Sequence, residues 1–547
     1  MSTEQATWPA EATPSAWAPL RTNPFRRLWA AQLISNVGTW MQMVGAQWLV
    51  LTLSGSATLV GLVQTASMLP AVFLAVPAGA MSDVIDKRRI LLWIQLGMAA
   101  AAAGLAALTL LGMVTSVTVL AFTFALACGT AFMNPTWQAI QPELVPRRQI
   151  PQAATLSSLN INLARAVGPA LGGLIVASVG AGWAFTLNAV SFMFVVAAVL
   201  AWRRRPENSP AGRERLMSAL RSGGRYVAHT PAMRRVLALS LLFVPAATAL
   251  WAMLPVVAHR SLRLGAGGYG VLLTSMGVGA VAAAFALPAL RRRFSGTALV
   301  AGSFGLYAGA LTGVALWHVL APVLVLLGLA GAAWITVLST FNATTQLLLP
   351  AWVRGRALSY YLVVLMGSQA LGGIVWGVLT SLEGLRTCLL AAAGLLAAAT
   401  VAGLFLPLPD PRAYDPTLSR HWSALESVAD PRSGPVLVIV DYEVRPGEED
   451  AFLRDMRTVS GSRRRTGASS WSLFRDPYRP NLFVESFVLG TWGEHQQQHS
   501  GRQTLHDRQA EEAARAHLAR PPSVRHLLDA AAPLAPPEGA YPRMVAE

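Results

Sequence analysis

Between residues 28 and 407 the sequence is a succession of apolar runs, each close to the roughly 20 residues an α-helix needs to cross a bilayer. In hydrocarbon every backbone N–H and C=O must bond within its own segment, so runs of this length read as membrane-spanning helices. Windows bounded by charge or by Gly and Pro lie near 28 to 52, 58 to 80, 90 to 112, 115 to 135, 153 to 178 and 182 to 202. After a basic stretch from Arg203 to Arg235 come others near 236 to 258, 269 to 290, 297 to 317, 320 to 345, 357 to 380 and 385 to 407. Twelve spans result, an all-α polytopic membrane protein.

Composition closes off other classes. Only 13% of the residues are charged and 54% are hydrophobic, whereas a soluble domain carries about a quarter charged residues. The formal charge of +16 does not point to nucleic acid, because the arginines cluster between apolar runs, where lipid headgroups and topology account for them. Cys128 and Cys388 lie in or beside apolar runs and build no disulfide framework. The first 24 residues lack an apolar core and read as a disordered cytoplasmic tail rather than a signal peptide.

Lys and Arg resist translocation and accumulate in short cytoplasmic loops. Here Arg21, Arg26 and Arg27 precede the first span, Lys87, Arg88 and Arg89 follow the second, and Arg147 and Arg148 follow the fourth. The alternation continues with Arg291, Arg292 and Arg293 after the eighth span and Arg354 and Arg356 after the tenth; Arg260, Arg263 and Arg386 dissent. Both termini are therefore expected in the cytoplasm, with the chain in a plasma (inner) membrane. The halves also share a layout. Leu144-Val145-Pro146-Arg147-Arg148 precedes a span bearing Gly172-Gly173, and Leu349-Pro350 with Arg354-Gly355-Arg356 precedes one bearing Gly372-Gly373, as in transporters built from repeated bundles.

Gly79-Ala80-Met81-Ser82-Asp83-Val84-Ile85-Asp86-Lys87-Arg88-Arg89 resembles the loop signature of the major facilitator superfamily. Gly168-Pro169-Ala170-Leu171-Gly172-Gly173 looks like the antiporter signature of that superfamily's exporters, with Ala164 in place of its leading glycine. With Asn162-Leu163-Ala164-Arg165 and Gln32-Leu33-Ile34-Ser35-Asn36-Val37-Gly38-Thr39-Trp40, residues 24 to 407 resemble the branch of enterobactin-type siderophore exporters and macrolide efflux proteins. The resemblance implies two six-helix halves and a secondary exporter of a siderophore or drug-like molecule. It also implies that Asp83 holds the cytoplasmic ends of the halves together beside the basic cluster of Arg88, by ion pairing or by capping the helix that opens near Arg354; a solvated loop that only fixes topology is the alternative. Val84 and Asp86 depart from the signature, which has a basic residue and a glycine there.

Within the spans a few residues stand out. Arg165 lies deep in the fifth span, where a cation costs roughly 3 kcal/mol on insertion scales, so it must face a cavity or a partner. Ser158, Asn162, Arg165 and Pro169 share one helical face. Arg165 is then an anion ligand or part of a charge relay, or else a tether to carbonyls of another helix. Asn36, Trp40, Met43 and Gln47, then Asn134, Gln138 and Gln141, then Ser339, Asn342 and Gln346 fall at helical spacing in the first, fourth and tenth spans. Amides with an aromatic suit a large cargo of mixed polarity, although each such stripe alone more often serves as glue between helices. The expected cavity set is Asn36, Trp40, Asn134, Gln138, Asn162, Arg165, Asn342 and Gln346. The expected switching set is Asp83, Arg88, Gly168, Pro169, Gly172 and Gly173, since proline bends a helix and glycine admits a neighbouring backbone; ordinary packing is the alternative. No Gly-x-x-x-x-Gly-Lys-Ser/Thr loop is present to hold ATP. Protons are the expected coupling ion, with Glu143 at the end of the fourth span as the candidate carrier or, alternatively, an ion-pair partner of Arg147 or Arg148.

From about residue 435 strands at 436 to 444, 468 to 475, 482 to 490 and 523 to 529 alternate with helices at 447 to 465 and 493 to 518, a ferredoxin-like α+β order. It resembles the small dimeric barrels of antibiotic-biosynthesis monooxygenases, and Trp492-Gly493-Glu494-His495 with Arg502 and His506 looks like the tail of part of the same exporter branch. No nucleophile, acid pair or cofactor loop matches, so no catalytic role, cofactor or metal is expected. His495 and His499 are four apart but lack an evident third ligand, and read as a solvated face. The expected organisation is a tail at 1 to 24, a six-helix bundle at 25 to 202, a central loop at 203 to 235, a second bundle at 236 to 407, a linker at 408 to 434 and a soluble domain at 435 to 547 that serves as a possible homodimer contact. The expected function is export by alternating access. An importer of the same architecture, or a membrane-anchored enzyme or sensor acting through the C-terminal domain, is the alternative.

Overall fold

A computed structural model describes residues 15–84, 86–202, 216–410, 414–419, 422 and 429–531. The N-terminal tail to residue 14 and positions 203–215 of the central stretch lie outside the described residues. Contacts divide the chain into two compact units, one of residues 1–210, 239–339 and 362–405, the other of 211–238, 340–361 and 406–547.

The apolar runs become α1 (Asn23–Ser54), α2 (Ala57–Val84), α3 (Lys87–Leu110), α4 (Ser116–Leu144), α5 (Ile150–Val179) and α6 (Ala181–Ala201). After a short amphipathic α7 (Leu216–Ala228), inside the stretch read as a loop, come α8 (Pro231–Val256), α9 (Ala266–Arg293) and α10 (Gly296–Leu316). The series ends with α11 (Leu320–Leu348), α12 (Arg354–Glu383) and α13 (Leu385–Phe405). Local chemistry sets several ends. Gly55 takes a φ of 62° and returns its N–H to the Leu51 carbonyl, closing α1 in a backbone region glycine enters without strain. Thr115 and Thr118 cap α4 reciprocally. Asp86, where the loop signature has glycine, accepts the Arg89 N–H at 3.0 Å, so the departure exchanges a turn residue for the cap of α3.

Among the described residues eleven of these long helices carry a stretch apolar enough to cross a membrane; α1 does not. Several of its polar side chains are turned inward and bonded to neighbouring helices. Asn36 donates to Asn160 Oδ1 on α5 at 2.9 Å, Asn188 of α6 donates to Gln42, and the Tyr269 hydroxyl of α9 donates to Gln47. A helix wrapped by others can be less apolar than one that meets lipid.

The glycine pairs of the two halves make equivalent contacts. A Cβ on Gly172 would stand 2.8 Å from Met41 Cα in α1, and one on Gly372 2.9 Å from the Pro245 carbonyl in α8. On Gly173 it would meet Gly270 Cα of α9 at 2.7 Å, and on Gly373 the Gly61 carbonyl of α2 at 2.7 Å. So α1 matches α8, α2 matches α9 and α5 matches α12, and the repeat suggested by sequence is a structural one. The α5–α9 and α2–α12 contacts join the two halves, Thr65 adding a 2.6 Å hydrogen bond to the Ala370 carbonyl.

The second unit is built on a four-stranded antiparallel sheet, β1 (Val436–Glu443), β2 (Ser470–Arg475), β3 (Leu482–Leu489) and β4 (Ser523–Leu528), in the order β2-β3-β1-β4. With α14 (Glu449–Thr466) this is the ferredoxin-like arrangement. Val436, Val438, Val440, Phe483 and Phe487 point into a core closed by Phe452, Met456 and Val459 of α14. The helix read at 493 to 518 is broken into α15 (Trp492–Gln497), a wide turn at Gln498–Arg502 and α16 (Leu505–Arg515), because Thr504 and Asp507 form a capping box. The solvated face read for His495 and His499 is corrected. Trp492, 4% exposed, anchors α15 in the core, so His495 is fully buried and His499 half-buried. Within this unit the sheet domain meets α7 and the turn between α11 and α12: Arg502 lies 5.2 Å over the Trp352 ring, Trp352 meets Tyr226 edge-on, and Arg225 pairs with Glu494 at 3.8 Å.

Candidate functional site

In the helical unit a cavity of about 450 Å³ opens between the two halves. Helices α1, α2, α4, α5 and α6 line one side, and α8, α11 and α12 the other. Its wall is an aromatic run: Trp40 lies 6.5 Å from Trp251, which lies 5.7 Å from Trp334. Met43, Met68 and Met366 add flexible, polarisable surface. Polar groups are few. Gln42, Gln64, Asn188 and Gln369 supply amides, and Arg165 supplies the charge.

Arg165 is placed by the backbone geometry of α5. Gly168, one turn on, lets α1 approach so closely that a Cβ there would stand 2.5 Å from Trp40 Cβ, and Gly277 of α9 would meet the Arg165 carbonyl at 3.3 Å. Clamped on both sides, the helix presents the Arg165 guanidinium to the cavity, 5.8 Å over the Trp40 ring. Among the described residues no carboxylate pairs with it. Among the described residues no carbonyl accepts from it, as the expected tether would require. Buried Gln64 Oε1 and Trp251 Nε1 also lack hydrogen-bond partners among the described residues. A carboxylate, phenolate or carbonyl arriving here would find a cation, a donor and an acceptor unspent.

The other expected cavity residues lie elsewhere. Asn36 is bonded to Asn160, and Asn162 donates to the Ser158 carbonyl of its own helix at 2.9 Å. Asn134 and Gln138 are exposed. Gln346 donates to Asn342 at 2.7 Å in the other compact unit. None of these six lines the cavity, because helical spacing marks a polar face without saying whether the face meets a neighbour or a void. Gln64, Trp251, Trp334 and Gln369 were missed; two amides inside apolar runs were the available signal.

Of the switching set, Gly168, Pro169, Gly172 and Gly173 sit where α5 packs on α1 and α9. Arg88 donates to the Val199 and Leu200 carbonyls at 3.1 and 2.8 Å, binding the C-terminal end of α6. The Asp83 side chain lies outside the described residues. Glu143 pairs with Lys87 at 2.9 Å, a partner the expectation had assigned to Arg147 or Arg148. Further contacts between the halves crowd the helix ends whose loops are poor in basic residues. Thr58 and Ser381 hydroxyls are 2.8 Å apart, Arg260 donates to the Gly55 carbonyl at 2.5 Å, and Trp48 stacks on Tyr269 at 6.2 Å.

Comparison with known proteins places this geometry. A family model described as transmembrane secretion effector matches residues 14–534. The multidrug efflux pump Tap of Mycolicibacterium fortuitum is 25% identical over 71% of this chain and 96% of its own. The staphyloferrin A transporter of Staphylococcus aureus is 27% identical over 46% of this chain and 64% of its own. Among solved structures, a bacterial homologue of the human lysosomal transporter Spinster, inward-facing and occupied, superposes with a TM-score of 0.58 at 13% identity, covering 71% of this chain and 97% of that one. The chain thus belongs to the transmembrane secretion effector family of the major facilitator superfamily, and is a multi-pass membrane transporter rather than an enzyme.

Proposed function

We propose that this transporter exports a small organic molecule of mixed polarity carrying an anionic or acceptor-rich group. The observation that carries the reading is the cavity itself: about 450 Å³, within the range of drug-sized sites, lined by both halves, with a cation that no carboxylate meets among the described residues set against a tryptophan wall. A relative named for multidrug efflux supports outward transport, and one named as a staphyloferrin A transporter supports a siderophore beside a drug-like compound as cargo. Alternating access is the mechanism. The halves rock about the glycine-lined α5–α9 and α2–α12 contacts, and the Thr58–Ser381 end is the gate closed here. The alternation of basic loops supports a gate on the outer side, both termini in the cytoplasm and the chain in the inner membrane. Protons drive the cycle, with the Glu143–Lys87 pair as the element that protonation releases.

Accumulation of fluorescent drugs and catecholate siderophores, in cells lacking their own exporters, tests the reading. The intact chain lowers accumulation; Arg165→Ala and a protonophore each restore it. Raised accumulation would make the protein an importer. Oxidative cross-linking of Thr58→Cys with Ser381→Cys, whose hydroxyls lie 2.8 Å apart, is expected to stop transport until a reductant is added. Transport that continues through the cross-link would exclude opening at that end.

A further inference from the structure

We infer that the C-terminal domain binds one divalent transition-metal ion, zinc being the best suited, on His495, His499 and His526. The three come from separate places in the chain. His495 sits on α15, His499 on the turn that follows it, and His526 on β4, where it is paired with Val438 at the edge of the sheet. Folding brings one ring nitrogen of each within 4.8 Å of the others. A tetrahedral ion about 2.1 Å from each nitrogen needs them roughly 3.4 Å apart, a distance that small side-chain rotations reach.

The detail that points to a ligand is at His495. The residue is fully buried, and its Nε2 has no hydrogen-bond partner among the described residues. Its Nδ1 lies 3.2 Å from Gln498 Oε1, and Gln498 is itself held by donating to Thr466 Oγ1 at 2.8 Å. With Nδ1–H donating to that amide, Nε2 carries a lone pair directed away from it. Metal-ligating histidines use this outer hydrogen bond to fix tautomer and ring orientation.

Buried Arg463 is matched by Glu485 at 3.1 Å and by Glu511, which Arg515 also meets at 3.6 Å, so this network carries no net charge. Trp492 and Trp422 wall the cluster, meeting His495 and His499 edge-on at 5.6 and 4.5 Å. Three imidazoles suit zinc, cobalt(II) or nickel and leave a fourth position, whereas calcium and magnesium require oxygen ligands. An ion here would tie β4 to α15 and so brace the last strand of the domain.

The test uses the full-length chain, purified in detergent with a tag free of histidine, stripped by chelator and loaded with Zn²⁺ or Co²⁺. Metal content after dialysis should be close to one per chain, and Co²⁺ should give the visible bands of tetrahedral coordination. His495→Ala, His499→Ala and His526→Gln should each weaken binding about 10- to 100-fold. His526→Gln lies on an edge strand, and unchanged far-UV circular dichroism shows that its loss of metal is not a loss of fold. No retained metal in the intact chain, or equal retention after all three substitutions, would overturn the assignment and leave three imidazoles packed beside tryptophans.

Discussion

In the helical unit Arg165 faces a cavity over a tryptophan ring with no acid beside it among the described residues, whereas in the C-terminal unit Arg463 and Arg465 are at least as buried and both are matched. Arg463 bonds Glu485 and Glu511, and Glu485 also accepts from Tyr442 and Trp471, each at 2.7 Å. Arg465 donates to Asp507 at 2.7 Å, and Asp507 also accepts from the Thr504 N–H and hydroxyl. A buried charge whose bonds are all met holds a fold in one arrangement; one left open toward a void is available to a ligand. The same residue type therefore carries architecture in one region and recognition in the other.

Three substitutions sharpen that contrast, in decreasing order of their effect on stability. Arg463→Ala strands two buried carboxylates and is expected to cost about 3 to 5 kcal/mol. Hydrogen exchange over residues 436–528 of the full chain would show it as a large loss of protection; unchanged protection would mean the network is not structural. Asp507→Asn keeps the link to Thr504 but loses the ion pair, for roughly 2 kcal/mol. Burial works against the Asp507 charge, yet Arg465 and Thr504 outweigh it and hold the carboxyl below its usual range. The sign follows: this stabilisation is complete above the unfolded carboxyl value of about 3.9 and is lost as the pH falls through the lower folded value. The gap between wild type and Asp507→Asn should therefore be constant near neutrality and shrink in acid. A gap that widened in acid would reverse the assignment.

Arg165→Ala has the smallest expected effect on stability, within about 1 kcal/mol, because no partner is left unpaired. Transport of an anionic cargo should nonetheless fall about 10- to 100-fold, the worth of one charge-assisted contact, with Arg165→Lys partly active. A thermal shift as large as that of Arg463→Ala would show that Arg165 is a structural residue after all.

Much of this was legible beforehand for simple physical reasons. Span length and charge alternation are imposed by the bilayer on the chain itself, so the long helices follow from counting. The βαββαβ order follows from local alternation, as in the buried positions Val436, Val438 and Val440 of β1. The site was only partly legible. Trp40 and Arg165 were named in advance and line the cavity, but Asn36 meets Asn160, Asn134 and Gln138 are exposed, and Trp251 and Trp334 gave no signal because a tryptophan in an apolar run looks like any other apolar residue.

The sequence by itself determined that the chain crosses a membrane many times, in two related halves, and ends in a small α+β domain, because burial of backbone and apolar surface acts locally along the chain. Tertiary structure alone decided which polar groups are used up and which are left over. Glycine contacts between helices remote in sequence turn Arg165 toward an open cavity, and closure of the sheet carries His526 to His495 and His499. Whether a side chain has a partner depends on what lies across from it, and that is settled only when distant segments meet.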